Sequence, residues 1–273
     1  MVLLWGSNWL VMKVALNFVA PATFVFHRSL ISSVALFPIV FLLRKRIPKD
    51  TNTLVKLLFL SFLFILQVTA TTVGLVGESS GMGSILTSIQ PLFVYCLAVK
   101  FLQEKTTILR SFGILLGFAG IVLILLGRIV SIAFGSSLIL VSGAFFWAGS
   151  TVYYKKNLGL LDAFIVVYFQ LAASLFPFAM FSALNNTLFV PLEATYLLVI
   201  SYSAIGSMAT GTLIWLFLLK REKATVLSGS SFAVPLVAIF LGWLFLEEDI
   251  AIHSVVGAAM VLGGVCLVNL HRE

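Results

Sequence analysis

The sequence predicts an all-α integral membrane protein: ten transmembrane helices arranged as two inverted five-helix repeats. Three observations carry this. Of 273 residues, 61% are hydrophobic and 10% charged, against roughly 45–50% and 25% in an average soluble domain. Charged residues and turn formers cut the chain into ten apolar stretches, each long enough to cross about 30 Å of hydrocarbon as a helix. The second half of the chain also repeats the landmarks of the first.

The stretches lie near 2–19, 22–43, 54–76, 80–101, 107–127, 133–155, 161–184, 194–219, 224–246 and 250–270. The connections are short, which leaves no room for a soluble domain. Backbone polar groups in a bilayer core must pair within the protein, so the spans are read as helices. The alternating polarity of an outer-membrane strand is absent. The first stretch has no basic leader and no small-residue cleavage site, so it reads as a retained span.

The net charge of +7 does not point to nucleic acid, because the basic residues sit in the connections. With a cytoplasmic N-terminus, Arg44, Lys45, Arg46, Lys49, Lys56, Lys100, Lys105, Arg110, Lys155, Lys156, Lys220, Arg221, Lys223 and Arg272 all face inward, 14 of the 17 basic residues. Only Arg128 falls in an outer connection. This asymmetry predicts both termini in the cytoplasm, and the expected location is the plasma membrane. Cys96 and Cys266 sit in apolar runs, and no spacing suggests a disulfide, a metal site or a cofactor.

A shift of 144 residues brings Glu78 onto Glu222, Ser84 onto Ser228, Thr87 onto Ser231, Pro91 onto Pro235, Glu104 onto Glu248, Gly113 onto Gly257 and Gly120 onto Gly264. Nearer the start of each half the shift is 142, and Trp5 meets Trp147 and Lys13 meets Lys155. Units of five spans, 1–127 and 133–271, must enter the membrane in opposite orientations, because five is odd. Inverted repeats are a recurring transporter architecture with the solute site between them.

Ser84, Thr87 and Pro91 share one helix face, and Ser228, Ser231 and Pro235 repeat it. Each proline frees a carbonyl one turn back, which nearby hydroxyls can pair or which can line a wet cavity. Pro91 and Pro235 are therefore expected as helix kinks. Gly113, Gly117 and Gly120, with Gly257, Ala259, Gly263 and Gly264, form small-residue seams. These are expected either to pack helices closely or to offer a homodimer face. Glu104 and Glu248 are expected to cap or pair locally, and Glu78 and Glu222 to favour helix starts.

The segments WGSNWLVMK (5–13) and WAGSTVYYK (147–155), with the two S-x-x-[ST]-x-x-x-P…E runs, resemble the EamA family of the drug/metabolite transporter superfamily over essentially the whole chain. The resemblance implies a ten-helix inverted-repeat fold with cytoplasmic termini and a central cavity. It also implies transport, commonly export, of amino acids, metabolites or small toxic compounds.

Polar groups inside spans are costly and ask for a reason. Lys13 and Arg28 lie within reach of the outer interface. There they either snorkel or make a positive rim that attracts a carboxylate or phosphate. Gln67 and Thr71 share a face of the third span, Gln90 precedes Pro91, and Gln170 lies in the seventh span. Their amides and hydroxyls suit a neutral or zwitterionic solute, or else bond between helices. Trp5 and Trp147 are read as interface anchors or as gates at opposite ends of the cavity, and Trp215 as an anchor. Asn8, Ser150 and Tyr154, within the paired WGSNWLVMK and WAGSTVYYK segments, join Ser84, Thr87, Ser228 and Ser231 as cavity candidates. The cavity is expected among spans 1, 3, 4, 6, 8 and 9.

Catalysis is not expected. Gly77-Glu78-Ser79-Ser80-Gly81 fits G-x-S-x-G but lies between membrane helices instead of on a strand-to-helix turn. No H-E-x-x-H or phosphate loop occurs. The expected partners are the lipid bilayer and a small-molecule solute. The reading is a secondary transporter exporting a small polar or amphiphilic metabolite by alternating access. A passive channel or a non-transporting membrane scaffold are the alternatives.

Overall fold

A computed structural model describes residues 1–42, 48–104, 107–126, 133–188, 193–248 and 252–269. Arg44, Lys45, Arg46, Lys105, Arg128 and Arg272, on which part of the charge argument rests, lie outside these residues. The described chain is helical throughout: α1 (Val2–Ala15), α2 (Pro21–Leu42), α3 (Thr51–Val76), α4 (Ser80–Thr87), α5 (Gln90–Phe101), α6 (Ile108–Leu126), α7 (Ala133–Asn157) and α8 (Ala163–Leu184). After α9 (Ala194–Ser201) a π-helix (Tyr202–Gly211) leads into α10 (Thr212–Arg221). Then come α11 (Ala224–Gly229), a 3₁₀ turn (Ser230–Ala233), α12 (Val234–Leu246) and α13 (Ile252–Asn269).

Among the described residues, seven helices are long and apolar enough to cross a membrane: α2, α3, α4 with α5, α6, α7, α8, and the run from α9 to α10. Three shorter apolar helices, Val2–Ala15, Val234–Leu246 and Val255–Leu267, fall in the remaining predicted stretches. The first stretch is shortened because α1 gives way after Ala15 to a turn that runs into Pro21, the first residue of α2. Phe37, Phe41, Phe62, Leu115, Phe176, Phe240 and Phe245 are exposed on the outer faces. The interior holds Phe24, Leu57, Leu86, Tyr154 and Leu219. An exterior this apolar is soluble in hydrocarbon, not in water.

Helix starts follow from local chemistry. Asp50 accepts from the Thr53 amide (2.8 Å), Ser79 from Met82 (3.1 Å) and Asp162 from Phe164 (2.9 Å), each satisfying an orphan amide of a first turn. Ser79, the would-be nucleophile, is thus a helix cap.

Both proline spans are interrupted by a short turn at the positions where kinks were expected. α4 ends at Thr87, and Pro91 sits in the first turn of α5; Pro235 likewise sits in the first turn of α12 behind the 3₁₀ turn. Proline fits a helix start because its missing amide is an orphan there anyway. Hydroxyls take up carbonyls around the breaks: Ser88 on Ser84 (2.7 Å), Thr87 on Gly83 (2.9 Å), Ser228 on Ala224 (2.7 Å) and Ser231 on Ser228 (2.6 Å).

Both broken spans end alike. Gln103 and Glu247 adopt the left-handed conformation, with φ of 56° and 53°. The next amides reach back six residues, Glu104 N–H to the Ala98 carbonyl (3.3 Å) and Glu248 N–H to Gly242 (3.2 Å), one residue further than the closure of a Schellman cap. The turn lets each glutamate reach another broken span, and the Glu248 carboxylate lies against Gly242 of its own helix on the way. Glu248 accepts from the Ser80 amide (2.6 Å), the Ser80 hydroxyl (2.8 Å) and the Gly81 amide (3.0 Å) at the start of α4. Glu104 accepts from the Thr225 hydroxyl (2.7 Å) in α11. The caps are therefore long-range where local ones were expected, because the left-handed residue turns the chain toward the opposite broken span. Glu78 is buried and accepts from the Ser137 hydroxyl, and Glu222 ends α10 instead of starting a helix.

The glycine seams face each other. α6 and α13 form the most extensive helix pair. A Cβ on Gly120 would lie 2.6 Å from the Gly257 carbonyl oxygen, and one on Gly264 would lie 2.7 Å from the Gly117 nitrogen. Such spacing excludes any side chain. The seams are consumed inside one chain, which removes them as a homodimer face.

Candidate functional site: a central cavity

A cavity of about 140 Å³ lies between α1, α2, α3, α4, α7, α8, the π-helix and α10, with Ser231 and Val234 closing it. α6 and α13 take no part. Compared with the expected set of spans, the second and seventh are added, through Arg28 and Gln170.

Of the candidates, Trp5, Asn8, Arg28, Gln67, Thr71, Thr87, Trp147, Ser150, Tyr154, Gln170 and Ser231 line this cavity. Lys13 does not: its ammonium donates to the Leu75 and Val76 carbonyls (both 3.1 Å) at the end of α3. Ser84, Gln90 and Ser228 are fully buried in helix packing away from the cavity. The Ser84 hydroxyl and both polar atoms of the Gln90 side chain have no partner there. A helical repeat assigns these residues to a face, but not to the neighbour that the face meets.

The tryptophans are corrected too. Trp5, Trp147 and Trp215 form one triangular cluster, with ring centroids 5.2 Å (Trp5–Trp147), 5.4 Å (Trp5–Trp215) and 5.7 Å (Trp147–Trp215) apart. Trp5 and Trp147 are not gates at opposite ends, because α1 and α7 bring the two matched rings together. The Trp5 indole donates to the Ser207 carbonyl (3.3 Å).

Arg28 does not snorkel. It is 8% exposed, and its guanidinium points into the protein. Nε donates to the Ser203 carbonyl (3.2 Å), Nη2 to the Ser207 hydroxyl (3.3 Å), and Nη1 lies 3.8 Å from the Met12 sulfur. The Phe24 ring centroid is 5.9 Å from Cζ. Both serines belong to the π-helix, and Ser203 also donates to the Asn8 side chain (2.8 Å). π-Helical turns are rare and recur at functional sites. The turn here presents the Ser203 and Ala204 carbonyls to α2, where Arg28 and Ser32 meet them. His27 faces elsewhere, with Nδ1 3.0 Å from the Tyr196 hydroxyl.

Ser207, Thr72 and Trp215 line the cavity alongside the candidates. Ser207 is spaced i, i+4, i+7 with Ser203 and Thr210, a polar face within an apolar run. The Thr72 and Tyr154 hydroxyls are buried at the wall without a partner. Unsatisfied polar groups of this kind call for water or solute.

Apolar spanning helices around a polar-lined cavity define a multi-pass integral membrane protein of the transporter class. The profile of the EamA-like transporter family matches residues 1–126 and 134–270, and the chain belongs to that family. Two of its relatives carry transporter or efflux-pump names. It is 29% identical to "Uncharacterized transporter YoaV" of Bacillus subtilis (strain 168), over 96% of this chain and 92% of the relative. It is 24% identical to "Probable amino-acid metabolite efflux pump" of Salmonella typhimurium (strain LT2), over 96% and 90%. A solved crystal structure superposes with a TM-score of 0.75 at 17% identity, covering 98% of this chain and 94% of the other; that likeness speaks to the fold alone.

Proposed function

We propose that this membrane transporter is a secondary carrier that exports a small polar or amphiphilic metabolite. Its two five-helix units, 1–127 and 133–271, enter the membrane in opposite orientations, with both termini in the cytoplasm of a plasma membrane. The carrier works by rocking one unit against the other around the central cavity. An efflux role follows the name of the Salmonella relative.

The observation that carries this is the exchange of contacts between the halves. Lys13 binds the end of α3, and Lys155 binds the Leu219 (2.5 Å) and Glu222 (2.7 Å) carbonyls at the end of α10. Glu104 reaches α11 while Glu248 reaches α4. α1 packs on α12 as α7 packs on α4 and α5, and α3 packs on α7 as the π-helix and α9 pack on α1. The cavity wall is paired in the same way, Trp5 with Trp147, Asn8 with Ser150, Arg28 with Gln170 and Thr87 with Ser231. Two units exchanged in this way give a cavity whose two exits are built alike, as alternating access needs.

The test is counterflow in proteoliposomes with a panel of radiolabelled amino acids, aromatic acids and amides. A carrier gives saturable uptake that unlabelled solute inside accelerates. Uptake that never saturates and ignores internal solute would make the protein a channel, and no uptake at all would favour the scaffold.

A further inference from the structure

Arg28 stands apart in the cavity wall. It is the only charged residue among the described lining residues. Its contacts are a carbonyl, a hydroxyl, a thioether and a phenyl ring, none of which carries a compensating charge. Moving one ion out of water costs several kcal/mol unless a counter-ion joins it, and arginine cannot escape by losing its proton. Its quasi-equivalent in the second half, Gln170, is neutral. The charge is therefore not demanded by the repeat architecture, which accommodates an amide at the matching position.

The guanidinium also has capacity to spare. Of its five N–H groups, oxygen atoms take two and sulfur weakly takes a third. The remainder can form the forked pair that fits a carboxylate. Ser207 joins this anchor to the tryptophan cluster, since its hydroxyl accepts from Arg28 and its carbonyl accepts from Trp5. An anion held by Arg28 therefore lies one residue away from an aromatic wall that favours a flat apolar body.

Together these features point, we propose, to an organic monoanion as ligand: a carboxylate seated on Arg28, with an aromatic or compact apolar body against Trp5, Trp147 and Trp215. The assignment rests on the reading of the cavity as the solute site but not on flux. Binding to the full chain in detergent therefore tests it separately from transport.

The probes are 3-phenylpropionate, 3-phenylpropanamide and 3-phenylpropylamine, which share a body and differ in charge. Their binding is followed by tryptophan fluorescence and calorimetry. The anion should bind at least about tenfold tighter than the amide, and the amine should bind weakest. Arg28→Gln should erase the difference between anion and amide, and Arg28→Lys should keep part of it. Trp147→Ala should weaken anion and amide by the same factor. Should Arg28→Gln not fold, the wild-type probe series decides alone. Equal or tighter binding of the amide or amine, binding of none of the three, or an anion preference that survives Arg28→Gln would each overturn the proposal. Anion binding without counterflow would remove the carrier reading and leave this one; counterflow of neutral or cationic solutes only would do the reverse.

Discussion

Lys13 and Lys155 each close the carbonyl end of a helix. A helix leaves its last carbonyls unpaired, and a cation there also meets the negative end of the helix dipole. Each ammonium takes two such carbonyls, of Leu75 and Val76 for Lys13 and of Leu219 and Glu222 for Lys155. Lys13→Met and Lys155→Met should therefore cost similar stability, about 1–3 kcal/mol each, read by denaturant unfolding of the purified protein. Probe binding in the cavity should be unchanged in Lys13→Met. A loss in only one of the two would mean that the paired geometry does not carry equal energy. At this scale the sequence announced which residues are unusual but not what they touch. The two lysines were matched by spacing, yet only the fold reveals that both cap helix ends. Gln90 and Arg28 are both polar groups in apolar runs, and periodicity alone cannot tell that one is walled into packing while the other opens on the cavity.

At the scale of elements, the broken spans explain most. Each breaks ahead of a proline, ends on a left-handed residue, and sends a glutamate to the opposite broken span. The two clasps are unequal. Glu248 accepts three hydrogen bonds from α4, two of them from backbone amides, while Glu104 accepts one from a hydroxyl. Glu248→Ala should accordingly lower stability by about 2–4 kcal/mol, against about 1 kcal/mol for Glu104→Ala, measured as thermal unfolding midpoints in one detergent. Equal losses would show that the amide bonds contribute nothing beyond the hydroxyl. The matched prolines and glutamates were legible because both residue types are rare in apolar runs. The π-helix was not, since Tyr202–Gly211 reads as ordinary helix by composition. A π-helix is defined by its wider backbone hydrogen-bond step, which leaves no mark in composition, and Arg28 and Ser32 donate to its Ser203 and Ala204 carbonyls. The glycine seams were legible as close-packing surfaces, but whether they met within one chain or between two had to come from the contact of α6 with α13.

At the scale of the molecule, class and environment followed from composition alone, because nothing but lipid accommodates so apolar an exterior. The proposed mechanism goes further and requires the cavity to face each side of the membrane in turn without ever joining the two. A single cysteine in its wall tests this most directly. With Cys96 and Cys266 replaced by serine, Thr87→Cys is exposed to a membrane-impermeant thiol reagent, in vesicles of each orientation, with a thiol-bearing dye enclosed. The account predicts modification of Thr87→Cys from both faces while the enclosed dye stays unmodified. Modification from one face only, or passage of the reagent to the dye, would contradict it.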